Sequence, residues 1–133
     1  MIRYVVRQNK ISGSKAYNLW YAIPVVEETM DLAALAKHME QHNSGFSEAM
    51  CLGVMKAMVR CIKEMVLEGK NVKIDDLAIF SCGIKNKQGA ETEVRFTNDN
   101  IEGVKLRARA TGVLRAASLN LDATVRKANT VTT

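Results

Sequence analysis

The stretch Asn71–Ile84, NVKIDDLAIFSCGI, decides how this chain is read. Val72 and Ile74 are apolar, Asp75 and Asp76 follow, and Leu77 and Ile79 resume the apolar run. Two short strands around a tight acidic turn fit that order, because Asp side chains bond the local backbone of a turn. Immediately upstream a long helical pattern ends at Gly69. A helix that drops straight into a hairpin is therefore the frame on which the other elements are placed.

The helix before Gly69 is expected to start at a Ser47 cap and run to Glu68. One apolar stripe along it is Cys51, Val54, Met58, Cys61 and Met65; a second is Leu52, Met55, Val59, Ile62 and Val66. Both alternate spacings of three and four, so together they form an apolar face too wide for one neighbour. Ala49, Gly53 and Ala57 add a row of small residues that permits close backbone approach. A monomer core is one use for such a face and a second subunit is the other. The short chain with its single long helix favours the second. A shorter helix is expected upstream, with Thr29 as its cap, Asp31 in its first turn, and Leu32, Leu35, Ala36 and Met39 at helical spacing. The segment HNSG, ending at Gly45, stops it.

At the N-terminus, MIRYVVRQN alternates, KISGSK turns, and AYNLWYAIPV is again strand-like, so residues 1–25 read as a β-hairpin. Pro24 marks a strand end or an edge. After the central hairpin, KNKQGAETEV is a polar reversal, Val94 and Phe96 predict a further strand, and Ile101–Ala110 a second alternating one. TGVLRAASLN reads as a short closing helix and residues 121–133 as a frayed, flexible tail.

Composition sets the limits. The chain has 133 residues, 47% hydrophobic and 25% charged, which is ordinary for one globular domain with an appendage. The net charge is +5 and it is unevenly spread. Residues 31–69 are nearly neutral, while residues 70–133 carry eleven basic and seven acidic side chains. A polyanion partner fits that bias. The three cysteines lack a C-x-x-C spacing and read as reduced thiols of a cytoplasmic protein, with Cys51 and Cys61 buried in helical register. The apolar runs are too short to cross a membrane.

The segment VKLRARA, Val104–Ala110, carries the clearest chemistry. On a strand, period two puts Lys105, Arg107 and Arg109 on one face and Val104, Leu106 and Ala108 on the other. Arg forks bond phosphates bidentately. A lone basic strand is usually a solvated face, but Lys85, Lys87 and Arg95, from the adjoining strand and loop, extend this one. His38 and His42 sit four apart, yet MEQ lies between them and no third ligand is nearby, so no metal site is expected. Asp75-Asp76 is explained by its turn. There is no Ser-His-Asp arrangement with supporting local sequence, no phosphate-binding glycine loop and no zinc quartet. Neither an enzyme, a cofactor nor a small-molecule substrate is expected.

The order helix, longer helix, glycine, hairpin, basic strand and short closing helix resembles the bacterial histone-like HU and integration host factor family. The likeness covers about residues 29–120. It is carried by the junction Leu67-Glu68-Gly69-Lys70-Asn71-Val72, by Phe80 in the hairpin (with Ala78 where the family usually has glycine), and by Gly112-Val113-Leu114-Arg115 at the closing helix. The family's long arms end in an Arg-Asn-Pro motif whose proline wedges between base pairs. KNKQGAE stands there in this chain, with no proline beyond Pro24, so the arm is short or altered. Tyr4, Val6 and Asn9 partly echo longer HU-like variants of some bacteria.

The resemblance implies an α+β fold: a helix pair under a small antiparallel β-sheet in an intertwined homodimer, residues 26–120, preceded by the hairpin and followed by the tail. It implies a nucleoid-associated protein that binds double-stranded DNA largely without sequence preference, for DNA condensation or architecture. Lys105, Arg107 and Arg109 would line a saddle, Lys85, Lys87 and Arg95 would extend it along the arm, and Arg115 would reach the flanking backbone. A dimeric scaffold for protein partners and an RNA binder are the alternatives.

Overall fold

A computed structural model describes residues 1–42 and 45–128. The chain divides into two units, Met30–Ser118 and a second formed by Met1–Thr29 with the segment from Leu119 onward.

In the larger unit, α1 spans Leu32–Gln41 and α2 spans Glu48–Leu67. Asp31, not Thr29, caps α1: its carboxylate accepts from the Ala34 amide at 2.9 Å. Both residues carry a suitable acceptor, and Asp31 is the one placed at the helix start. Ser47 caps α2 by accepting from Met50 N at 3.1 Å. The helix stops at Gly69, whose φ is +82°. His38 and His42 face each other at the end of α1, Nε2 to Nε2 2.9 Å. No group of three potential metal ligands occurs among the described residues.

Strands β3 (Val72–Ile74), β4 (Ala78–Asn86) and β5 (Ile101–Ala110) form an antiparallel sheet in that order. Asp76 takes the left-handed φ of +62° that lets the β3–β4 turn close, and the Leu77 amide bonds Ile74 O at 3.0 Å. The expected strand around Val94 and Phe96 is absent, because residues 91–95 are bends and turns and residues 96–97 are irregular. That loop is held by its own polar groups. Asn100 accepts from Thr97 N at 3.0 Å and donates to Gln88 O at 3.0 Å, and Lys87 N bonds Asn100 O at 2.7 Å.

Little of this unit is enclosed. Its buried apolar residues are Ala36, Cys51 and Val66. On α2, Leu52, Met55, Met58, Ile62 and Met65 are half-buried, while Met50, Val54, Val59 and Leu67 stand exposed. Cys61, expected to be buried, is exposed. Each stripe of α2 is thus covered only in part by its own chain, with exposed apolar residues on both flanks of the covered face.

The smaller unit is a three-stranded sheet ordered β2-β1-β6, from β1 (Ile2–Gln8), β2 (Trp20–Pro24) and β6 (Val125–Lys127). β1 and β2 pair antiparallel, with Pro24 as the last residue of the edge strand. β6 corrects the expected tail: helix α3 (Ala116–Asp122) runs past residue 120, and Val125–Lys127 then pairs in parallel with Ile2–Tyr4. The tail beyond residue 128 lies outside the described residues. No helix among the described residues is long and apolar enough to cross a membrane.

Candidate nucleic-acid interface

Register decides what the β3-β4-β5 sheet presents. Gly83 faces Lys105, Ser81 faces Arg107 and Ile79 faces Arg109 across β4 and β5, and Lys73 faces Ile79 across β3 and β4. Residues directly opposite share a face. Lys73, Lys85, Lys105, Arg107 and Arg109 therefore project to one side, all exposed. Along β5 the cations repeat every two residues, about 6.5–7 Å. Val104, Leu106 and Ala108 project to the other side with Ile84, Cys82 and Phe80.

The end of β5 is pinned to the β3–β4 turn. Thr111 N donates to Leu77 O at 3.1 Å, Thr111 Oγ1 to Ile74 O at 3.3 Å, and Val113 N to the Asp76 carboxylate at 3.3 Å. Gly112 has φ +54° and lies so close to Asp76 that a Cβ there would collide with the carboxylate and Cα. This anchoring holds Arg115 at the rim of a recess of about 480 Å³, lined also by Lys73, Ile79 and Arg109. Asp76 thus serves structure.

Charge pairing separates the cations into two sets. Lys85 Nζ lies 3.4 Å from Glu102 Oε1, and Arg95 Nη1 lies 3.8 Å from Glu91 Oε2. Lys73, Lys87, Lys105, Arg107, Arg109 and Arg115 make no ion pair among the described residues. Arg107 lies flat across β4, where Gly83 makes room for it: a Cβ at Gly83 would stand 2.5 Å from Arg107 Nε.

Residues 1–127 match the family described as an HU domain fused to wHTH, Ig, or glycine-rich motif, HU-HIG. The chain belongs to the HU-HIG family. Its fold is similar to a crystal structure described as a "putative bacterial DNA binding protein" from Bacteroides vulgatus ATCC 8482, with a TM-score of 0.70 at 13% identity. The similarity covers 95% of this chain and 47% of that one, so the chain spans about half the length of that protein. No curated protein matches the chain.

Of the residues singled out from the sequence, this HU-HIG chain brings Lys85, Lys105, Arg107 and Arg109 onto one face and sets Arg115 beside Arg109. Lys87 is the first residue past β4, and Arg95 lies in the loop, off the sheet. Lys73 was missed. The signal for it is present, since it alternates with Val72 and Ile74, but its neighbours follow only from the length of the Asp75-Asp76 turn. On the opposite face Val104 and Leu106 are 60% and 61% exposed. They border an open apolar cleft of about 360 Å³ with Met58, Val59, Ile62 and Leu67 of α2.

Proposed function

We propose that the protein is a dimeric DNA-binding protein that grips the duplex backbone with little sequence preference and serves chromosome compaction or architecture. The observation that carries this reading is the set Lys105, Arg107 and Arg109 on one face of β5, without ion pairs among the described residues and joined by Lys73 and Arg115. Cations repeating along an exposed strand neutralise phosphates and carry no sequence information. Lys85, Lys87 and Arg95 extend the contact toward the loop. That loop has no proline, so the reading includes no proline wedge. Membership of an HU-domain family, and the structural neighbour's description as a bacterial DNA-binding protein, favour DNA as the polyanion.

A second copy is the proposed cover for the other face. Exposed Val59 and Leu67 of α2 and the Val104–Leu106 side of β5 border one apolar cleft. Burying them in an identical subunit would set two basic faces in one assembly.

Salt titration tests the proposal. With about six phosphate contacts per dimer, affinity falls roughly a thousandfold between 50 and 200 mM salt. Binding that is flat over that range contradicts it. Competition by single-stranded and structured RNA separates duplex DNA from the wide, shallow minor groove of A-form RNA.

A second reading, a scaffold that docks a protein, has its own support: Tyr17, Trp20 and Tyr21 are 48%, 63% and 47% exposed. Changing Lys105, Arg107 and Arg109 together to Ala decides between them. Loss of DNA retention supports the first reading, and full retention the second.

A further inference from the structure

The sheet of the smaller unit has two unlike faces. Pairing of Arg7 with Tyr21 and of Arg3 with Arg126 places three guanidinium groups on one side. Ile2, Val6, Trp20, Val125 and one cation, Lys127, lie on the other, while Val5, Tyr21 and Ile23 sit among the arginines. Arg3, Arg7 and Arg126 are all exposed. No strand of this sheet contains an acidic residue. Glu27 reaches Arg3 at 3.1 Å, while Arg7 and Arg126 make no ion pair among the described residues.

Two features set this face apart from a solvated surface. Solvated strand faces mix both signs of charge, whereas every charge on these positions is an arginine, the planar fork suited to phosphate. In addition, Arg3 and Arg126 are register partners on neighbouring parallel strands, and like charges held side by side repel. An anion seated between them reverses the sign of that interaction. Arg7 lies four residues along from Arg3, about 13 Å, so the three groups span about four base-pair steps of duplex axis.

We propose that the Arg3, Arg7 and Arg126 face is a second contact for the phosphate backbone of duplex DNA, separate from the β5 face. This rests on the reading of the protein as a DNA binder and adds to it a place where the smaller unit takes part. Arg7 and Arg126 supply the free forks. Glu27 holds Arg3 in reserve, weakening its contribution.

The test is the slope of log affinity against log salt for the full chain on one duplex. Replacing Arg3, Arg7 and Arg126 together with Ala lowers the slope by about 1.8 if one subunit's two free arginines engage, and by about 3.6 if both subunits' do. Circular dichroism checks the fold of that variant. Glu27→Gln alters no strand residue and frees Arg3, so it raises affinity and steepens the slope by about 0.9 per subunit. Unchanged slopes in both variants overturn the proposal and leave this face to an acidic protein surface. Failure of the underlying reading looks different: the unaltered protein is then itself insensitive to salt.

Discussion

The division between free and paired cations makes a prediction that charge counting alone does not. Among the described residues Arg107 has no carboxylate partner, whereas Lys85, on the same face, sits 3.4 Å from Glu102. If each Arg107 neutralises one phosphate, Arg107→Ala removes two contacts from a dimer and lowers the salt slope by about 1.8. Referred to 1 M salt, that is about 30-fold in affinity at 150 mM. Lys85→Ala removes the same formal charge, but each phosphate contact made by Lys85 first displaces Glu102. An exposed ion pair is worth about 0–1 kcal/mol, so two of them offset up to about 2 kcal/mol, close to the whole gain. Lys85→Ala is therefore expected to weaken binding only a few-fold. Glu102→Gln is expected to strengthen it, by up to about 30-fold if the pair is at the strong end of that range. Fluorescence anisotropy with a labelled duplex, titrated at several salt concentrations, measures all three. Equal losses from Arg107→Ala and Lys85→Ala would refute the pairing argument. An undiminished slope in Arg107→Ala would remove β5 from the interface altogether.

Three further outcomes are expected. Val59→Glu places a charge at the exposed apolar edge of the α2–β5 cleft; sedimentation should then give the mass of one chain, and the salt slope should fall to about half, whereas an unchanged mass ends the argument for a second copy. Ser47→Ala removes the α2 cap and costs about 1 kcal/mol, read as a Tm lower by about 3–5 °C with DNA affinity at low temperature unaltered. Gly112→Ala meets both a left-handed φ and the Asp76 carboxylate, so thermal unfolding should show a loss larger than about 1 kcal/mol, while Gly89→Ala, with open space around it, should show little.

The parts of the fold that were legible in the sequence are those whose signal is local. The two stripes of α2 alternate by three and four, and the cations of β5 alternate by two, so each element announces its own period. The Asp75-Asp76 turn joins β3 to β4 with no intervening chain to misread. Non-local features left no such trace. Val125-Arg126-Lys127 is only three residues long and becomes a strand because β1, more than 100 residues earlier, offers it an edge. Val94-Arg95-Phe96 has the alternation of a strand but pairs with no strand among the described residues; Asn100 and the Glu91–Arg95 pair hold that segment in turns instead. Cys61 illustrates a third case. Its position in the apolar pattern was read correctly, but whether an apolar position is buried depends on what covers it, and one chain covers only part of α2.

That incompleteness bears directly on the proposed function. β5 is a single strand with two unlike faces: Lys105, Arg107 and Arg109 on one, Val104 and Leu106 on the other. A strand at the edge of its sheet, with 60% of Val104 and 61% of Leu106 in water, gives weak support to cations that must stand in register along a duplex. Covering the apolar face with a second copy would fix the strand from behind and double the number of aligned charges at once. Because counterion release enters as an exponent of the number of contacts, doubling the contacts squares the electrostatic part of the binding constant. On this reading assembly and DNA binding are one equilibrium, and a substitution that touches only the apolar side, such as Leu106→Asp, should abolish tight DNA binding while every cation of the β5 face remains in place.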